Sequence, residues 1–128
     1  MNARAPAKPT SRLRIKRVYE PAAADDGFRV LVDRLWPRGI SKERAHIDLW
    51  LKDIAPSDAL RRLVHGGPSK WDEFVAAYRR ELAREPAKTA AAELRERLRK
   101  EAVTLIYAAR DETHNNAVAL KDWLERSG

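Results

Sequence analysis

Cysteine is absent from the 128-residue sequence, and histidine is scarce. Because there is no thiol, the chain can form neither a disulfide nor a thiolate metal site, and it has no cysteine nucleophile. The three histidines, His46, His65 and His114, show no close ligand spacing, so we expect no metal. GxGxxG, Walker and GxSxG motifs are missing too, and we expect no cofactor.

Long apolar runs are equally missing. No stretch approaches the ~20 apolar residues that span a bilayer, and the start of the chain, MNARAPAKPTSR, lacks the apolar core of a signal peptide. We therefore expect a cytoplasmic protein without membrane contact. The sequence leaves its oligomeric state open.

Acidic residues are missing from the N-terminus, where positive charge collects. The chain has a formal net charge of +7 at pH 7, and residues 1–17 contain no acid but six basic residues: Arg4, Lys8, Arg12, Arg14, Lys16 and Arg17. Such an arm can bind nucleic acid through counterion release, although a solvated leader rich in Ala and Pro also explains the charge. We expect a flexible basic leader at residues 1–11 and a single domain at residues 12–128.

Two apolar runs predict buried strands. Residues 30–32 and 103–109 are apolar or β-branched without alternation, which is typical of parallel strands covered on both faces. Alternating residues predict a further strand at 13–19, near an edge or end of the sheet. The segment 46–56 is predicted to be either an edge strand or a short helix.

Four helices are predicted between and after these strands, over residues 58–65, 70–83, 87–100 and 113–126. Ser57 and Ser69 are expected to cap the first two. The second helix carries a core stripe at helical spacing, formed by Trp71, Phe74, Val75, Tyr78 and Leu82. The alternation of strands and helices predicts an α/β fold, a compact three-layer domain with a small, mainly parallel sheet flanked by helices.

In parallel sheets, ligands bind beyond the carboxyl ends of the strands. The loops that follow the second and last predicted strands, DRLWPRGISK and ARDETHNN, should therefore meet at one edge of the sheet. The candidate ligand-binding residues in these loops are Arg34, Trp36, Arg38, Lys42, Arg110, Asp111 and Asn115.

Arginine suits such a site because its planar guanidinium donates two parallel hydrogen bonds to a phosphate or carboxylate. We expect Arg34 and Arg38 to hold an anion, with the turn around Gly39 fixing the direction of Arg38. Trp36 can stack on a planar ligand group. The structural alternative is that Asp33 forms an ion pair with an arginine while Trp36 covers the end of the sheet.

Few side chains in this sequence can carry a proton. His65 is predicted to lie at a helix C-terminus before two glycines, where a positive imidazole is favoured by the helix dipole. Such a histidine is often a cap, but its position between the two loops makes it the first candidate for a general acid or base. Asp33 is the second catalytic candidate, and Asp111 and His114 complete the set.

Four stretches together resemble the YeaO-like proteins, a family catalogued as domain of unknown function 488. They are KRVYEPAAADDGFRVLVDRLWPRGISKE, WLKDIAPSDALRRLVHG, the pattern W(x)2F(x)3Y(x)2EL that begins at Trp71, and VTLIYAARDETHNNAVALKDWL, and the similarity runs over residues 13–124. The resemblance implies a compact three-layer α/β domain with an Asp-Arg pair at a strand end, here Asp33 and Arg34. It implies no established activity. More distant members carry a Cys-His-Arg-like element after the last strand, which this chain lacks, so we expect no thiol chemistry.

The sequence thus favours a protein that binds an anionic small molecule, such as a nucleotide or a phosphorylated metabolite, with hydrolysis or group transfer as an open option. One alternative is a nucleic-acid-binding module that uses the basic arm and Trp36. The other is a non-enzymatic interaction domain, which is expected if Asp33, Arg34 and Arg38 are all consumed by internal pairs.

Overall fold

A computed structural model describes residues 12–127 of the chain. Within them one sheet contains four strands, β1 (Leu13–Arg17), β2 (Phe28–Leu31), β3 (Leu49–Trp50) and β4 (Val103–Tyr107). Their order is β1-β4-β2-β3, and all neighbouring strands are parallel. The predicted α/β fold with a parallel sheet is confirmed. The predicted leader at 1–11 lies outside the described residues.

Five helices accompany the sheet in the described part of the chain: α1 (Lys42–Ala45), α2 (Asp58–Val64), α3 (Trp71–Leu82), α4 (Ala87–Lys100) and α5 (Asn116–Ser127). None of the helices described is both long and apolar enough to cross a membrane. Ser57 caps α2 as predicted, since its Oγ accepts a hydrogen bond from the backbone N–H of Leu60 at 3.4 Å.

The prediction that Ser69 caps α3 is wrong. Ser69 lies inside a 3-10 turn that starts at Pro68, and this turn leads directly into α3 at Trp71. Proline favours the first position of a helical turn because its φ is fixed. Ser69 is therefore already within helical backbone, whereas an N-cap residue needs an extended conformation.

Residues 46–56 were predicted to form either an edge strand or a short helix, and the structure contains a short form of each. β3 is an edge strand of two residues, and a 3-10 turn, Lys52–Ile54, follows it. The backbone N–H of Leu51 still donates to the carbonyl of Leu31 at 2.9 Å, so the pairing with β2 extends slightly beyond the strand.

The core has a large and a small part, one on each face of the sheet. The large part packs the sheet against α2–α5 and includes the stripe predicted for α3, of which Phe74, Tyr78 and Leu82 are buried. The small part lies under α1 and the loops beside it, around Leu31 and Ile106. The third layer is therefore thin. Residues 30–32 are fully buried, which confirms a strand covered on both faces.

A buried charge cluster lies at the amino end of the sheet. Asp26 and Arg29 are 2% and 4% exposed. The Asp26 carboxylate accepts hydrogen bonds from Lys16 Nζ at 2.8 Å and from Arg29 Nη1 at 2.6 Å. Burial alone opposes its charge, but the hydrogen bonds from Lys16 and Arg29 hold the pKa of Asp26 below its ordinary value. Arg29 also donates to the carbonyls of Ala45 and His46, which ties α1 to β2.

The Tyr78→Phe substitution should destabilise the fold. The buried Tyr78 hydroxyl donates to the carbonyl of Ile54 at 2.6 Å, and burial holds the pKa of Tyr78 far above its ordinary value, so the donor proton is retained. Leaving that carbonyl without its partner should cost about 1–3 kcal/mol of the free energy of unfolding. The measurement is the urea midpoint at unchanged m-value.

The matched control is Tyr19→Phe. The Tyr19 hydroxyl donates to the carbonyl of Arg38 at 2.7 Å, but the residue is 43% exposed, so water can replace the lost partner. Its loss should cost about 0.5 kcal/mol or less. Equal losses for the two substitutions would contradict the assignment of Tyr78 as a buried tie between α3 and the turn after β3.

Candidate functional site

A cleft of about 670 Å³ opens at the carboxyl edge of the sheet. The ends of β1, β2, β4 and α2 and the start of α5 form its walls, and we call it the strand-end cleft. Of the nine residues predicted for the site, eight line it: Asp33, Arg34, Trp36, Arg38, His65, Arg110, Asp111 and Asn115. Lys42 lies outside the lining and is exposed in the first turn of α1.

Asp33 ties three elements together at the floor of the cleft. Its Oδ2 accepts a hydrogen bond from the backbone N–H of Ala108 at 3.0 Å, just after β4, and its Oδ1 accepts one from Asn116 Nδ2 at 3.2 Å, in α5. Its backbone carbonyl accepts from Trp50 Nε1 at 2.8 Å, in β3. No ion pair of the described residues involves Asp33. The Asp33–arginine pair of the structural alternative is thus not formed within residues 12–127.

The electrostatics of Asp33 follow from this arrangement. Burial raises the pKa of the Asp33 carboxyl above its ordinary value because the charged form loses contact with water. The hydrogen bonds from Asn116 and Ala108 and the positive charge of Arg61 oppose that rise without cancelling it. Both direct donors are neutral, so Asp33 is a part-buried carboxyl that makes no ion pair within residues 12–127.

Arg34 is partly committed to the protein. Its Nη2 lies 3.3 Å from the carbonyl oxygen of Ala55 and 3.5 Å from that of Pro56, in the segment before α2. Its Nε is buried and has no hydrogen-bond partner among the described residues. One side of the guanidinium therefore fastens the loop after β2 to the loop before α2.

Trp36 also has a structural role. Its Nε1 donates to the carbonyl of Ile40 at 2.8 Å, and its ring meets that of Trp50 edge to face at a centroid distance of 5.4 Å. The ring packs against the small core. It covers the end of the sheet, as the structural alternative predicts, while also lining the cleft.

Arg38 and Arg110 are the uncommitted arginines of the cleft. Both are exposed, and neither side chain has a hydrogen bond or ion pair to another residue of the described chain. The turn beneath Arg38 is nevertheless held, because Tyr19 binds its carbonyl. Gly39 has a φ of 75°, which lies in the left-handed region that glycine adopts without strain. There is open space where a Cβ would stand, so the backbone conformation and not crowding favours glycine there. The backbone is fixed and the side chain is free.

His65 is the C-cap of α2, as predicted. Its backbone N–H donates to the carbonyl of Arg61 at 3.3 Å, and Gly67, with a φ of 98°, lies just beyond it. The imidazole is exposed, and no hydrogen bond or ion pair within residues 12–127 links it to Asp33. The same residues contain no group of three or more His, Asp or Glu that could hold a metal.

The loop after β4 is shaped by its own polar side chains. Asp111 Oδ1 accepts a hydrogen bond from the backbone N–H of Thr113 at 2.9 Å. The buried Asn115 donates to the carbonyl of Asp111 at 2.8 Å and accepts from the N–H of Val118 at 2.9 Å, which caps α5. These bonds explain why α5 begins at Asn116, three residues after the predicted start. They also engage both the nitrogen and the oxygen of the Asn115 side chain within the protein.

Comparison with known proteins places this chain in a family. Residues 12–127 match the family described as the inactive DUF488-N3 subclade. The chain belongs to this family. It is 43% identical to the uncharacterized protein YeaO of Escherichia coli (strain K12) over 112 residues, which are 88% of this chain and 96% of that protein.

Two mycobacterial relatives show the same level of similarity. The uncharacterized proteins Mb3100c of Mycobacterium bovis and Rv3073c of Mycobacterium tuberculosis (strain H37Rv) are each 42% identical over 114 residues, 89% of this chain and 94% of theirs. No solved structure matches the chain significantly. The YeaO-like resemblance expected from the motifs is thus confirmed.

Several cleft residues of this DUF488-N3 chain were not predicted as site residues. They include Tyr19, Leu35, Arg61 and Asn116. Arg61 could have been found, because it precedes His65 by four positions and so shares its face of α2. Asn116 could not have been found in this way, because Asn115 and Asn116 are adjacent and the sequence does not indicate which of them caps α5.

The basic N-terminus is largely engaged where the structure describes it. Arg14 and Lys16 pair with acidic residues, while Arg12 and Arg17 donate to backbone carbonyls. Arg4 and Lys8 lie outside the described residues. The positive charge of residues 12–17 therefore serves the fold in part.

Asp33 and Asp111 should titrate on opposite sides of the ordinary aspartate pKa of about 3.9. Burial raises the pKa of Asp33, whereas the backbone N–H groups of Thr113 and His114 lower the pKa of Asp111. A carbon-13 NMR titration of the carboxyl groups in the folded protein measures both. The reverse order of the two values would contradict the described hydrogen bonds.

The two shifts also have opposite effects on stability. The folded chain keeps the proton of Asp33 longer than the unfolded chain, so Asp33 lowers the free energy of unfolding as pH rises from about 3.9 through its folded pKa. The contribution of Asp111 is present above about pH 3.9 and is lost as pH falls through its lower folded pKa.

Proposed function

We propose that the strand-end cleft binds an anionic small molecule, a nucleotide or a phosphorylated metabolite, without catalysing a reaction on it. The observation that carries the proposal is the pair Arg38 and Arg110. These two exposed guanidinium groups line one cleft and have no internal partner within residues 12–127. Unpaired arginines on the loops of a parallel sheet's carboxyl edge are well placed to receive an anion.

The size and lining of the cleft support a small ligand. Its volume of about 670 Å³ lies within the usual range for small-molecule sites, ~300–1,000 Å³. Leu35, 61% exposed, and Tyr19, 43% exposed, add apolar surface to the same cleft. A ligand with an anionic group and a planar or apolar part matches both features.

Three observations favour binding over hydrolysis or group transfer. The family is described as inactive, and the chain has no cysteine. Of the two catalytic candidates, His65 caps a helix and has no hydrogen bond to Asp33 within the described chain, and Asp33 is held by two neutral donors. A nucleophile activated by an adjacent base is thus not assembled among the described residues.

The two other hypotheses from the sequence receive less support. A nucleic-acid-binding arm needs free positive charge, yet Arg12, Arg14, Lys16 and Arg17 are all engaged within the domain. An interaction domain was expected if Asp33, Arg34 and Arg38 were all consumed by internal pairs. Asp33 and Arg34 do have internal hydrogen bonds, but the Arg38 side chain has none within residues 12–127. The proposal keeps the cytoplasmic location expected from the sequence.

Arg38→Ala and Arg110→Ala should each weaken ligand binding. A thermal-shift screen with nucleotides and sugar phosphates should find ligands that stabilise the wild type, by about 2.7 kcal/mol at one hundred times the dissociation constant. The same ligands should produce smaller shifts in both variants because each lacks one guanidinium. The matched control is Arg80→Ala, which removes an exposed arginine of α3 outside the cleft.

Two results would overturn the proposal. The first is the absence of any shift in the wild type, and the second is an equal shift in all four proteins. Conversion of a bound ligand to product would contradict the non-catalytic part alone. Binding of DNA or RNA that weakens steeply with salt, and is unaffected by Arg38→Ala, would favour the nucleic-acid hypothesis.

A further inference from the structure

Asp33 has hydrogen-bonding capacity that the protein does not use. A carboxylate offers about four acceptor positions on its two oxygens. In the described residues Oδ1 receives one donor, from Asn116, and Oδ2 receives one, from Ala108. One further acceptor position therefore remains on each oxygen, and the residue lines the strand-end cleft.

The structural ties explain why an acid stands at this position but not why it faces a cleft. Two donors, one on Ala108 and one on Asn116, each need an oxygen acceptor, and an asparagine side chain has only one oxygen to offer. An aspartate in a closed protein interior would accept these two hydrogen bonds equally well. At the edge of an open cleft, the remaining acceptor positions are available to a molecule that enters it.

Desolvation makes such a molecule favourable. A part-buried carboxylate without a paired cation has lost some of its hydration, and further hydrogen bonds to its charged form offset that cost. Because the two oxygens lie side by side, they best accept two adjacent donors, as a carboxylate does from one guanidinium. The cleft thus combines a bidentate acceptor, Asp33, with two free cationic groups, Arg38 and Arg110.

We propose that Asp33 determines ligand specificity by accepting hydrogen bonds from two adjacent donors on a ligand whose phosphate is held by Arg38 and Arg110. This inference rests on the proposed function and deepens it. Two sources supply adjacent donors next to a phosphate, the vicinal hydroxyls of a phosphorylated sugar and the N1–H and amino group of a guanine nucleotide. Both are phosphate esters that carry two adjacent hydrogen-bond donors.

Matched pairs of probes test this on the wild-type protein by isothermal titration calorimetry. Ribose 5-phosphate is compared with 2-deoxyribose 5-phosphate, which lacks one of the vicinal hydroxyls. Deoxyguanosine monophosphate is compared with deoxyinosine monophosphate, which lacks the amino group. Propyl phosphate has no such pair of donors, so its affinity measures phosphate binding by Arg38 and Arg110 alone. The two-donor member of one pair should bind about tenfold or more tightly, the usual size of a hydrogen bond to a charged group.

The Asp33→Asn variant tests the residue itself. Its thermal unfolding is measured first, because the amide can satisfy only one of the two internal donors. In the folded variant the affinity ratio within the preferred pair should fall to about one. The control is Asp72→Asn, which neutralises an exposed acid of α3 outside the cleft and should keep the wild-type ratio.

The outcomes separate this inference from the proposed function. Propyl phosphate binding that depends on Arg38, together with equal affinities within both pairs, overturns the role of Asp33 and leaves the proposed function standing. No binding of any probe overturns both. A preference that persists in folded Asp33→Asn also overturns the inference. If that variant does not fold, the wild-type ratios decide alone.

Discussion

The parallel pairing of β4 with both β1 and β2 is the constraint on which the candidate site depends. Tyr107 is in register with Arg17, and Ile106 with Leu31, so three strands end at the same edge of the sheet. An antiparallel β4 would send its following loop to the opposite edge. The central strand is buried along its whole length, which makes this arrangement costly to change. Residues distant in the sequence meet in one cleft for this reason.

At that edge, hydrogen bonds from neutral donors form the scaffold, while two of the arginines that line the cleft have no internal partner within residues 12–127. Asp33 is fixed by a backbone N–H and an amide, and Asn115 and Asp111 build the start of α5 with similar contacts. Arg38 and Arg110 take no part in this scaffold. The separation is physically sensible, because a guanidinium already paired inside the protein must lose that partner before it can receive a ligand. Under the proposed function, guanidinium groups that are free in advance lower the cost of binding a ligand.

Much of this could be predicted from the sequence, because it depends on local patterns and one topological rule. The unalternated run at residues 30–32 identifies a buried strand, and the position of loops at strand ends identifies most of the cleft. The uses of individual polar side chains could not be predicted. Whether Asn115 or Asn116 caps α5, and whether Ser69 is a cap, depends on backbone conformation. The buried guanidinium of Arg29 donates to the carbonyls of Ala45 and His46, which lie 16 and 17 residues away and which only the fold brings near.

The loop that carries Arg38 is anchored at both ends by contacts that lie outside it. Asp33 is fastened to β3 and β4 at one end, and Arg29 grips the carbonyls of Ala45 and His46 at the other. The residues between these two anchors carry the exposed Arg38, and they also supply Trp36, Ile40 and Ala45 to the small core. None of these intervening residues belongs to the large core, so changes in this loop act on the small core and on the surface of the cleft. The two parts of the core are thus unequal in a second respect, because only the small part shares its residues with the loop that carries Arg38.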